Sequence, residues 1–314
     1  MYYPYFRGKQ FELILLRDNV SFLFENNIHP IIEPVKHDFK AISRAMKSLF
    51  DKKVQWTLIV NPQVGKKPVK MSDILSELID KQITEYNNIS IGYILHASSN
   101  ENQLVKLAKQ YPKMTFSLIH YGYTKGKTLS TIIKKLKNIK RHIFIDGYTG
   151  KLYQRHFKGN GKRILIRDGF KKQTKNANYP ENEHFSDLHI TFHDERMNGF
   201  GDYTVVGDEY SETGGPAYAV AIHITYLDSE DNMFIHHFKS DQTDSPTDPG
   251  GKFLEALTKL VDEFDRKNST IYPSKACIEF KELFAKKHFP GLGYVKKLSM
   301  QHHIELTADV SNRI

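Results

Sequence analysis

The sequence predicts an α/β protein with a (β/α)8, TIM-barrel-like fold, and three observations predict it. Seven apolar runs each end in a polar or charged residue: 2–6 before Arg7, 28–32 before Glu33, 54–60 before Asn61, 89–95 before His96, 114–119 before His120, 142–145 before Asp146, and 164–166 before Arg167 and Asp168. The runs are continuous rather than alternating, as expected of parallel strands covered by helices on both faces. They recur roughly every 25 to 30 residues, one strand–helix unit of a barrel that typically takes ~250 residues.

The intervening segments carry helical stripes. Phe39, Ile42, Met46, Leu49 and Phe50 repeat at three and four residues, as do Leu104, Leu107, Ala108 and Tyr111, then Leu129, Ile132, Ile133 and Leu136. Such stripes are core faces. The rhythm weakens twice: no helix reads clearly between the sixth and seventh runs, and a polar stretch from Asp168 to His184 reads as a long loop, which in a compact domain is usually functional or disordered.

The eighth strand is ambiguous. In the segment 199–215, glycines 199, 201, 207, 214 and 215 stand among Asp202, Asp208, Glu209 and Glu212. Either Gly201 to Val206 is the strand, followed by a β-hairpin over 217–239, or Ala219 to Tyr226 is the strand and the glycine-rich piece precedes it as a mobile cover. The expected organisation is a barrel domain over 1–270, including that hairpin, with a C-terminal helical extension over 271–314 packed on it.

Composition narrows the setting. No apolar run approaches the ~20 residues that cross a bilayer, and the opening MYYPYFRGKQ lacks the charged-then-apolar pattern of a leader, so a cytoplasmic protein is expected. The single cysteine, Cys277, excludes an internal disulfide and sits in an apolar context that suits a buried thiol. The net charge of +9 is unevenly spread. Residues 121–175 hold 16 Lys/Arg against two acids, and residues 181–260 hold 16 Asp/Glu against four bases. Segregation on that scale can steer an anionic ligand or hold the two segments together. Lys158, Lys162 and Arg163, interleaved with Tyr148, Tyr153 and Phe157, suit phosphate contacts combined with base stacking.

A (β/α)8 barrel keeps its chemistry at the C-terminal ends of its strands, so Lys9, Glu12, Glu33, Lys36, Asn61, His120, Asp146, Asp168 and Asp202 near those ends form the candidate site. Glu33, Asp146, Asp168 and Asp202 would repel one another there unless a cation sat among them, and hard oxygen donors suit Mg²⁺ or Mn²⁺. His120 and Asp146 would serve in catalysis with Lys9 as phosphate clamp, while Lys36, Asn61 and Arg167, with Lys158, Lys162 and Arg163, would bind substrate. The same groups could instead pair as salt bridges capping the barrel.

The stretches YYPYFRGKQFELILLRD, IIEPVK at 31–36, IVNP at 59–62 and GFGDY at 199–203 resemble the bacterial and phage beta family proteins and a close bacterial relative of that group. The resemblance covers the N-terminal third and the glycine-rich segment. It implies a barrel-like cytosolic protein from a phage-defence or mobile-element setting, with a partner protein from a neighbouring gene; it brings no catalytic residues with it. Two functions remain open at this point. One is a metal-assisted hydrolase or phosphotransfer enzyme acting on a nucleotide or nucleic-acid end. The other is a non-catalytic, defence- or toxin-associated module that docks a partner protein or nucleic acid.

Overall fold

A computed structural model describes residues 1–83, 88–212 and 214–313. Thr213 of the glycine-rich segment and Ile314 of the expected extension lie outside the described residues. The elements run β1 (Tyr5–Phe6), α1 (Gln10–Asp18), α2 (Val20–Glu25), β2 (Ile31–Ile32), α3 (Lys40–Asp51), β3 (Trp56–Ile59), α4 (Met71–Ile74), β4 (Ile89–Leu95) and α5 (Glu101–Gln110). They continue with β5 (Thr115–His120), α6 (Gly126–Ile133), β6 (Ile139–Ile145), α7 (Lys151–Arg155) and β7 (Lys162–Ile166). After β7 come β8 (Asn182–Ser186), α8 (Leu188–Thr191), β9 (Gly199–Gly201), β10 (Ala221–Leu227), β11 (Met233–Lys239), α9 (Pro249–Asp265), α10 (Lys275–Ala285) and α11 (Leu292–Arg313). Among the described residues no helix is long and apolar enough to cross a membrane.

All seven apolar runs contain a strand, and β1 to β7 pair in parallel in chain order. The gap expected between the sixth and seventh strands holds α7, too short to show a helical stripe. The eighth strand is β9, which pairs with β7 through Ile164–Gly199, Leu165–Phe200 and Ile166–Gly201. It begins two residues before the first alternative read from the sequence and ends where that one starts. The sheet then closes on itself, giving the α/β (β/α)8 fold: Tyr3 N donates to Phe200 O at 2.8 Å and Tyr5 N to Asp202 O at 2.9 Å.

Closure explains the glycines. A Cβ on Gly201 would stand 2.0 Å from the Tyr3 carbonyl oxygen, and one on Gly199 would stand 2.7 Å from the Tyr3 ring. No other residue type lets the first strand lie so close.

Strand alternation separates the lumen from the helix layer. His120, His142 and Phe144 contact the rings of Tyr153 and Phe157, which follow from α7, so these residues face outward. Ile119, Ile143 and Ile145 therefore face the lumen, and the registers carry that face to Ile94, Gly92, Ile59, Thr57, Ile31 and Tyr5 on one side and to Ile164, Ile166, Gly199 and Gly201 on the other. Part of this lumen is polar. The Ser117 hydroxyl lies 2.8 Å from that of Ser90 and 3.3 Å from that of Thr57, so the three satisfy one another away from water.

The chain divides into two compact units, Met1–Arg167 with Thr191–Asp202, and Asp168–Ile190 with Tyr203–Ile314. The expected boundary at 270 does not separate them, and the hairpin belongs to the second unit. Its physical reason is a shared core: Ile222 and Ile224 of β10 and Phe238 of β11 bury against Phe253, Leu257 and Leu260 of α9, Phe280 of α10 and Leu298 of α11. The hairpin is joined by β8 in the order β10–β11–β8, so part of the polar stretch read as loop is a strand. In this unit His237 is buried and hydrogen-bonds His223, Nδ1 to Nδ1 at 2.7 Å, and Glu183 through Nε2 at 3.1 Å, while Cys277 is buried beside His302.

The closure geometry makes a stability prediction. Gly201→Ala should lower the unfolding free energy by about 1–3 kcal/mol, the usual cost of overpacking. Gly215→Ala, which meets open space, should stay within about 0.5 kcal/mol of the parent. Urea unfolding of both variants measures the difference, and equal stabilities would show that β9 does not need glycine.

Candidate functional site at the barrel mouth

Glu33 is the centre of the mouth. Gly8 at φ +62, just after Arg7, passes close by: a Cβ on it would stand 3.1 Å from the Glu33 carbonyl oxygen. The Glu33 side chain is fully buried and three donors converge on it: the Tyr5 hydroxyl at 2.6 Å, the Gln63 amide at 2.8 Å and the Arg7 guanidinium in an ion pair. A buried carboxylate is tolerated only when paired and hydrogen-bonded in this way.

Around Glu33 the lumen face continues upward through the residues that follow each strand. Asn61 is a brace: its side-chain oxygen accepts from Ile94 N at 2.8 Å and its amide donates to Ile94 O at 2.9 Å, prolonging the β3–β4 ladder by one side chain. His96, two positions beyond lumen-facing Ile94, hydrogen-bonds the Tyr121 backbone, and its Nε2 is buried without a partner. Burial pushes this imidazole below its ordinary value, with Glu33 pulling the other way, so the ring is neutral at pH 7. The Tyr121 ring sits edge-on to His96 at 5.5 Å and stacks on Tyr148 at 4.1 Å. Tyr148 is 50% exposed, so one face of this aromatic pair meets solvent. On the rim, Arg167 Nε donates to Asp146 at 2.7 Å, each side chain part-exposed.

Several expected site residues lie elsewhere. His120 faces the helix layer, fully buried, with Nδ1 at 2.7 Å from the Tyr153 hydroxyl and Nε2 at 2.9 Å from His142. It ends its strand on the wrong parity for the mouth. Asp202 also points outward, where it accepts from the Tyr2 hydroxyl at 2.7 Å. Asp168 belongs to the second unit and accepts from the amides of Phe170 at 2.9 Å and Asp208 at 2.7 Å. Lys9 caps α1, its amide bonded to Glu12 at 3.1 Å, and Lys36 is exposed in the loop after β2. Lys162 and Arg163 begin β7 and Lys158 precedes them, so all three lie toward the N-terminal ends of the strands, away from the mouth. Arg163 packs outward, its guanidinium 5.8 Å from the Phe144 ring centre.

The four carboxylates expected to hold a metal are thus not gathered. Glu33 and Asp146 have arginine partners, Asp202 faces outward and Asp168 is in the second unit. Among the described residues no three His, Cys, Asp or Glu side chains are grouped so as to hold a metal ion. The basic and acidic segments do meet locally: Lys151 pairs with Glu195 in the barrel unit, and Lys171 with Glu183 and Lys172 with Glu209 in the second.

Compared with protein-family models, curated proteins and solved structures, the chain gives no significant match. The site therefore rests on its own geometry.

Sequence reasoning passed over His96, Arg7, Gln63 and the Tyr121–Tyr148 pair. The signal for His96 was present, since it follows the fourth run and stands two residues after an inward position. Only the register shows that it, and not His120, turns inward.

Two predictions follow from these placements. Replacing Glu33 or Arg7 by Ala strands a buried charge and should cost about 3–5 kcal/mol in urea unfolding, whereas Asp146→Ala on the rim should cost about 1 kcal/mol or less. A small loss at Glu33 would show that the mouth is hydrated. Burial also holds His120 well below the ordinary imidazole range and His142 down to about 4. Both stay neutral in the fold while the unfolded chain takes up protons as pH falls through about 6.5. Stability should therefore be full above pH 7 and decline toward pH 4. In His142→Phe the decline should be shallower, and an unchanged slope would contradict the assignment.

Proposed function

We propose that the barrel mouth binds a phosphorylated, ring-bearing ligand such as a nucleotide or nucleic-acid end and hydrolyses its phosphoester, with His96 as general base. One observation carries the reading: the neutral His96 ring has a buried, unpartnered Nε2 between Glu33 and the half-exposed Tyr121–Tyr148 pair. An orphaned buried basic nitrogen is costly for stability and fits a group kept for proton transfer. The unpartnered Nε2 of His96 would take a proton from water as that water attacks phosphorus, the ester P–O bond breaks and the leaving oxygen is protonated from solvent. Tyr148 offers a stacking face to a base, and Lys36 with Arg167 would neutralise phosphate oxygens. Glu33 orients Arg7 and favours the imidazolium that forms. A divalent ion such as Mg²⁺ or Mn²⁺ would come with the substrate phosphates, in keeping with the way Mg²⁺ usually binds.

A second reading has its own observation. Tyr148 just before α7 and Leu152 within it are 50% and 71% exposed, with Lys151 between them in sequence, which fits docking of a partner protein or nucleic acid without chemistry. In a cytosolic phage-defence setting of the kind the beta family resemblance implies, either role would serve.

Phosphate release from nucleoside mono- and triphosphates and from 5′- and 3′-phosphorylated oligonucleotides, with and without Mg²⁺ or Mn²⁺, tests the proposal. His96→Gln should lower kcat roughly 10²- to 10⁴-fold, the span of general base catalysis. Tyr148→Ala should mainly raise KM. No release under any condition, with nucleotide binding that Tyr148→Ala weakens, would sink the catalytic reading and leave the docking one.

A further inference from the structure

The N-terminal end of the barrel lumen carries a second polar group that the mouth does not use. Arg141 and Lys162 are register partners on β6 and β7, with Lys162 exposed, and both stand on the lumen face two residues before Ile143 and Ile164. Neighbouring strands lie about 4.8 Å apart, so the two cations project side by side. Tyr3, whose hydroxyl donates to Met1 Sδ at 2.9 Å, lies within reach of the Arg141 charge, and its ring meets His29 edge-on at 5.1 Å. His29 is two residues before lumen-facing Ile31 and is only 6% exposed.

No acid balances this group. Among the described residues neither Arg141 nor Lys162 has an ion-pair partner, and Arg141 Nε and His29 Nδ1 are buried without hydrogen-bond partners. Two like charges side by side repel, and orphaned buried polar atoms are costly; one anion would relieve both. The histidine narrows which anion. His29 Nε2 lies 3.2 Å from Asn27 Oδ1, so the ring proton is donated there and Nδ1 carries a lone pair. Burial, then the positive charges of Arg141 and Lys162, push this imidazole down to about 3, so it is an acceptor at neutral pH.

We propose that this end of the lumen is a binding site for inorganic hydrogenphosphate. Arg141 and Lys162 donate to its charged oxygens, and the remaining P–O–H donates to His29 Nδ1. Sulfate at pH 7 has no proton to donate, and a phosphate monoester is mostly dianionic there, so neither satisfies His29. The group shares no residue with the mouth, so this site and the mouth reading stand or fall separately.

Calorimetric titration of the full chain with inorganic phosphate, sulfate and glycerol phosphate, at pH 7 and matched ionic strength, tests it. Phosphate should bind at least about tenfold more tightly than the other two, the worth of one hydrogen bond to a charged group. Lys162→Gln, at an exposed position, should weaken phosphate by at least about tenfold while leaving the melting temperature of the phosphate-free protein unchanged. Equal affinity for phosphate and sulfate would overturn the role of His29. Full binding in Lys162→Gln, or no binding of phosphate to the parent chain, would each overturn the site.

Discussion

The approach of the Tyr3 backbone to Gly199 and Gly201 is the constraint on which the barrel unit depends. Two main-chain hydrogen bonds, Tyr3 to Phe200 and Tyr5 to Asp202, turn an eight-stranded sheet into a ring and remove both of its edges. Once the ring is closed, one alternation runs through all eight strands, and every residue's side is set. Glu33, Arg7 and His96 share the mouth because Ile31, Tyr5 and Ile94 share the lumen. The same rule sends His120 and Asp202 outward.

Much of this was legible in the amino-acid pattern. The seven continuous runs mark seven strands because strands buried on both faces are apolar at most positions instead of alternating. Glu33 was identifiable as a mouth residue for the same reason. What the pattern lacked was parity: a polar residue following a run can point either way, and choosing His120 over His96 was a choice between faces that only the hydrogen-bond register resolves. Basic content failed similarly. Lys158, Lys162 and Arg163 suit phosphate in chemistry, but a β/α unit returns its chain to the far end of the barrel before the next strand begins, and those residues lie on the return.

The second unit was the least legible part. β8 reads NEHFS, with polar residues at most positions, and gives no continuous run because its burial is one-sided. Helix α11 is buried along most of its length yet carries His302, His303, Gln301 and Glu305 inside, so no apolar stripe announces it. Those polar groups are satisfied individually. His302 Nε2 donates to Thr225 O at 2.7 Å, its Nδ1 accepts from Ser274 at 2.8 Å, and the Gln301 amide donates to Glu305 at 2.8 Å. The His302 bonds use residues far apart in sequence, which a local pattern does not contain.

The position of β9 in the chain has a kinetic consequence. Residues 168–190, which belong to the second unit, are made after β7 and before the strand that closes the barrel. The open sheet from β1 to β7 must therefore persist with two unpaired edges until Phe200 emerges to meet Tyr3, a separation of nearly the whole unit. Loop closure over that distance is slow and exposes strand edges while it waits. The short β1 at one of those edges, only Tyr5–Phe6, is then a protection during synthesis, because an edge of two residues offers a stray strand little to pair with.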